Sequence, residues 1–135
     1  MTTIKMNRSI FLLLTAVIAL FFGGMMLVAP DKASETFGLA FSPEIGIVFR
    51  WLGVMIVCSG ILNFIVRKDN ATSTLKAVLI FTAAFHALSL FIDFVGIGQG
   101  ILKIGNLIPG IVVHSFVAVG SVFYLLKIKT SESPR

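Results

Sequence analysis

Four long apolar stretches, almost free of charge, constrain this chain more than any other feature. Residues 10–29 run 20 positions without Asp, Glu, Lys or Arg; residues 45–66 run 22 with only Arg50. Residues 77–97 run 21 with only Asp93, and residues 107–126 run 20 with none. At about 1.5 Å of rise per residue, each stretch reaches across a hydrocarbon core of about 30 Å as a helix. A membrane β-strand would instead be an alternating segment of about 10 residues, and these runs are continuous. They hold 83 of the 135 residues, so the expectation is a single integral membrane domain over residues 1–135 without a soluble catalytic part. The expected fold is all-α: an antiparallel bundle of four transmembrane helices.

Composition agrees. The chain is 57% hydrophobic and 13% charged, where a soluble domain carries about 25% charged residues. The lone Cys58 allows neither an intramolecular disulfide nor a Cys-x-x-Cys redox motif. Met1–Ser9 with Lys5 and Arg8 resembles the basic start of a signal peptide, but the apolar run behind it is long for that role. The one cleavage point, after Ala29, has Leu27 where a small side chain is wanted and Pro30 immediately beyond. The first run is therefore expected to stay as a membrane helix.

Loop charge sets the orientation. Lys5, Arg8, Arg67, Lys68, Lys76, Lys127, Lys129 and Arg135 fall on one side of the four spans, and Lys32 and Lys103 on the other. By the positive-inside rule both termini are expected in the cytoplasm. The net charge of +5 then reads as a topology signal and an attraction to anionic headgroups, not as a nucleic-acid surface.

The first connection, residues 30–43, carries Ala33, Phe37, Ala40 and Phe41 at helical spacing, with Asp31, Lys32, Ser34 and Glu35 around them. This predicts a short interfacial amphipathic helix stopped near Gly38. The glycines of the third connection include Gly98-Gln99-Gly100 but no phosphate-loop Lys-Ser/Thr.

Polar and small residues fall on common faces. Thr15, Ala19 and Gly23 recur every four residues in the first span, and Gly53 and Gly60 lie seven apart in the second. The third span places Thr82, His86, Ser89 and Asp93 on one stripe; in the fourth, His114 shares a face with Gly110, Ala118 and Ser121. Polar stripes within a bilayer turn toward the bundle interior. Arg50, His86, Asp93 and His114 all fall in the outer half, whereas Ser59, Asn63, Thr82 and Ser121 are the polar groups of the inner half.

The candidate cluster is thus Arg50, His86, Ser89, Asp93 and His114. Arg50 and Asp93 are expected to form an interhelical ion pair, with an anionic ligand at Arg50 as the alternative. The histidines differ in depth by only about 6 Å. They suit a structural polar network first, and a quinone contact or haem ligation second. A metal site without haem lacks Cys, Asp or Glu at ligand spacing beside either His. Ser89 between His86 and Asp93 on one helix lacks the setting of a hydrolytic triad, so no catalytic or metal-binding residue is assigned. Trp51 and Tyr124 are expected as interfacial anchors, outside and inside respectively.

Ala29-Pro30 closing the first span, Phe37-Gly38-Leu39 in the interfacial turn and Arg50-Trp51-Leu52-Gly53 opening the second span resemble small bacterial four-span proteins of the DoxX-like kind. The resemblance covers nearly the whole chain and implies a four-helix bundle in the bacterial inner membrane. Some members of that kind are linked to quinone-coupled redox chemistry and most have no assigned activity. No catalytic motif transfers residue by residue. The leading expectation is a non-enzymatic accessory, assembly or lipid-binding subunit needing no cofactor. Its partners would be the bilayer and either a membrane protein or a second copy of the chain. The alternative is a small redox subunit holding quinone or b-type haem near His86 and His114.

Overall fold

Polar caps decide where the apolar runs become helices. The structure, a computed structural model, describes residues 7–128; Lys5, Lys129 and Arg135, which counted toward the basic side, lie outside that range. The described residues form α1 (Arg8–Val28), α2 (Pro30–Thr36), α3 (Pro43–Val66), α4 (Ser73–Gly98) and α5 (Ile104–Lys127), with no strand among them. Asn7 Oδ1 accepts the Ile10 N–H at 2.9 Å, Ser42 Oγ that of Ile45 at 3.3 Å and Thr72 Oγ1 that of Leu75 at 3.2 Å. Each bond satisfies a donor that a helix start leaves unpaired, and so pulls the helix outward past the end of its apolar run.

The four long helices are each long and apolar enough to cross a membrane, as a multi-pass membrane protein requires. Their outward faces are apolar as well: Phe21, Trp51, Val119 and Leu126 are among many large side chains left exposed. Exposed apolar surface on this scale would be untenable in water and is what a lipid environment accommodates.

α1 packs against α3 and α4 against α5, and the two pairs meet through fewer contacts. The first pairing follows from small residues. A Cβ on Gly53 would lie 2.8 Å from the Gly23 carbonyl oxygen, and one on Gly60 only 3.1 Å from Ala16 O and Ala19 Cβ. The expected strip of Thr15, Ala19 and Gly23 is buried here and lets the two backbones approach closely.

The two pairs join mainly at the end that holds the start of α1 and the end of α5. There Phe11 and Leu12 of α1, Val66 of α3, Leu75, Val78 and Leu79 of α4, and Val117 and Tyr124 of α5 form one core. The Phe11 ring seats directly on Gly120, where no Cβ would fit, and reaches Phe116 and Tyr124 at centroid distances of 5.8 and 5.1 Å. Tyr124 is therefore a core residue and not the interfacial anchor expected from its position near the end of a span; Trp51, 71% exposed, keeps an outward place.

At the other end α2 covers the α1–α3 pair through Met26, Ala33 and Phe49, with Phe37 packed against them. The expected amphipathic helix is present but ends at Thr36, one residue pair before Gly38, whose φ of +71° suits glycine. Ala40 and Phe41 thus fall beyond it. Gly38 also abuts the Asn106 amide in the first turn of α5, linking the two pairs at this end. On the exposed side of α2, Lys32 donates to Glu35 at 3.1 Å; that bond and the charges of Glu35 and Asp31 hold the ammonium above its ordinary pKa.

Candidate functional site

The stripe on α4 supplies the centre of the polar seam. Thr82 and His86 are four residues apart, so they project from one face of the helix one turn from each other. Thr82, fully buried, meets Asn63 of α3: the Thr82 hydroxyl and the Asn63 carboxamide are 3.3 Å apart and can exchange donor and acceptor roles. Asn63 also donates to the Ser59 carbonyl at 2.9 Å. This bond network satisfies a buried amide that would otherwise be costly in an apolar interior.

One turn further along α4, His86 faces His114 of α5. Their Nδ1 atoms are 2.7 Å apart, with ring centroids at 5.0 Å and planes inclined by 48°. Phe85 lies edge-on to His86 at 5.4 Å. His86 is buried and His114 half-buried. At 2.7 Å one Nδ1 must donate and the other accept, so a neutral pair holds complementary tautomers. Two imidazolium rings would set N–H against N–H; the contact therefore tolerates at most one added proton, shared between the rings. Neither Nε2 has a hydrogen-bond partner among the described residues.

This geometry bears on what the pair can hold. Two nitrogens bound to one metal at about 2.0–2.1 Å each, even at a tetrahedral angle, stand more than about 3 Å apart. The Nδ1 atoms are closer than that, so an ion shared between these two nitrogens would enter only if the rings separated. No group of three His, Cys, Asp or Glu side chains that could hold a metal ion occurs among the described residues.

The rest of the expected cluster divides. Ser89 donates back to the Phe85 carbonyl at 2.9 Å and so serves its own helix. Asp93, half-buried, lies within electrostatic reach of His114 but forms no ion pair. Arg50 stands apart: it is exposed, and a Cβ on Gly46 would sit 3.6 Å from its Nη1 and 3.0 Å from the Phe41 ring. The side chain thus turns one helical turn back toward the start of α3, as long cationic side chains do to bring their heads to water. The expected Arg50–Asp93 pair is absent; among the described residues Lys32–Glu35 is the one ion pair. Similar depth was not enough: Arg50 turns back toward the start of α3, while Asp93 lies near His114 of α5.

Sequence reading placed Asn63 and Thr82 in the same half of the bilayer without pairing them. Ser121, expected on the inward polar face of the fourth span, is buried there, and its hydroxyl has no partner among the described residues. Ala118, expected on the His114 face, lines an apolar groove of about 520 Å³ between α4 and α5 with Ala83, Ala84 and Ala87. Comparison with family models, curated proteins and solved structures finds no match to the chain.

Proposed function

We propose that this is a non-enzymatic inner-membrane protein of the DoxX-like kind that serves as an accessory, assembly or lipid-binding subunit. The observation that carries the reading is the 2.7 Å contact between His86 and His114: the two best catalytic or ligating groups in the chain engage each other. Asn63 and Thr82 do the same. A seam closed on itself positions helices, as interhelical polar contacts in membranes commonly do. Action on other molecules then falls to the exterior, to lipid or to a membrane partner. The basic residues Arg8, Arg67, Lys68, Lys76 and Lys127 collect at one end of the helices, which supports placing that end, and both termini, in the cytoplasm.

A second reading has its own support. In the neutral pair the ring whose Nδ1 accepts carries its proton on Nε2, and that unengaged N–H is a suitable donor to a quinone oxygen, as a redox subunit would use it. Purification from native membrane, followed by a visible spectrum and extraction of lipid-soluble molecules, separates the two. The accessory reading expects a featureless spectrum, no stoichiometric quinone and a co-purifying lipid or protein. A Soret band or bound quinone would replace it with the redox subunit.

A further inference from the structure

Where α1 begins, α5 ends and the α3–α4 connection passes, a cavity of about 390 Å³ is lined by Arg8, Ala71, Tyr124, Lys127 and Ile128. Two of the five are cations and none is a carboxylate, although the site lies within a few residues of Asp69. Arg8 is held in place: its Nη2 donates to the Asp69 carbonyl oxygen, fixing the guanidinium against the connection. Its Nε is shielded from solvent and has no hydrogen-bond partner among the described residues. Among the described residues the Arg8 guanidinium has no carboxylate partner, so its charge is left for an anion in the cavity to pair. Lys127 enters from α5, its Nζ 4.1 Å above the Phe123 ring and free of any ion pair among the described residues. Ile128 and Tyr124 supply an apolar wall, and Tyr124 is anchored against Phe11 in the core.

We propose that this cavity binds a phosphate group, with Arg8 and Lys127 as its cationic contacts. The volume falls within the range of small-ligand sites, about 300–1,000 Å³. A basic pocket between membrane helices at their positively charged end is the form taken by sites for anionic lipid headgroups. A soluble phosphate-bearing solute offers the same chemistry. The site stands apart from the accessory-subunit reading, since a redox subunit would hold the same phosphate.

The test uses the full chain in maltoside micelles, with thermal unfolding and native mass spectrometry as readouts. Phosphatidylglycerol, phosphatidylcholine and inorganic phosphate are titrated separately. Phosphatidylglycerol should raise the unfolding midpoint and remain bound where phosphatidylcholine does not. Lys127→Gln should weaken that binding about fivefold, and Arg8→Gln with Lys127→Gln should remove it. Lys32→Gln, at the opposite end, should titrate as the parent. If Arg8→Gln fails to fold for want of its Asp69 bond, Lys127→Gln alone decides, because its side chain makes no described hydrogen bond. Stabilisation and competition by inorganic phosphate assign the site to a soluble phosphate; their absence beside phosphatidylglycerol binding assigns it to lipid. Equal binding of the two lipids with no effect of phosphate, or a Lys127→Gln titration matching the parent, overturns the proposal.

Discussion

At the scale of single residues, the stability of the seam turns on which side chains have partners. His86 and His114 satisfy each other, so replacing one by Leu strands the other's Nδ1 in a buried position. His86→Leu is expected to cost roughly 1–3 kcal/mol, read as a lowered unfolding midpoint in detergent. Gln at either position, which keeps a donor and an acceptor, should fold with a smaller loss. The double Leu variant should lose less than the sum of the single losses, because the two share one bond. Arg50 makes the opposite prediction. Exposed and unpaired, it should tolerate Ala with a change within about 0.5 kcal/mol, and Arg50→Ala and Asp93→Ala should add independently. Coupling between them would show an ion pair that the geometry does not contain.

At the scale of elements, close approach and caps govern. Gly53→Ala puts a methyl 2.8 Å from the Gly23 carbonyl oxygen, a backbone atom that cannot rotate away. The α1–α3 pair must then part, at roughly 1–3 kcal/mol, measurable as reduced resistance to denaturing detergent. Phe11→Ala should cost more, about 3–5 kcal/mol, since its ring fills the Gly120 notch and ties α1 to α5. The helices themselves were legible in the sequence because uncharged length is enough to specify a span. Their starts were read two to four residues late, because Asn7, Ser42 and Thr72 are polar and fall outside any apolar run. The helix in the first connection was legible down to its stop at Gly38, since a left-handed residue leaves a glycine signature. Pairing was not legible. In a membrane the lipid-facing and interior sides are both apolar, so hydropathy does not say that Tyr124 points into the core. Depth and the polar face of each helix were read from residue spacing, but not which faces meet: His86 and His114 share a seam, whereas Arg50 and Asp93 do not.

At the scale of the whole molecule, the bundle is asymmetric along the membrane normal. One end has the four-helix core, the basic side chains and the cavity at Arg8 and Lys127; the other is spanned by α2 and the Gly38–Asn106 contact. The proposed orientation rests on that asymmetry: a reporter fused after Arg135 should be active only as a cytoplasmic reporter, and periplasmic activity would invert the proposed topology. Between the two ends runs the seam of Asn63, Thr82, His86 and His114, which links α3 to α4 and α4 to α5. The most direct test replaces His86→Cys and His114→Cys together in a Cys58→Ser background and applies a short thiol crosslinker in native membranes. Rapid, near-complete intramolecular crosslinking is the predicted result; no crosslink with short or medium-length reagents would mean that the two positions do not face each other and would contradict the closed seam.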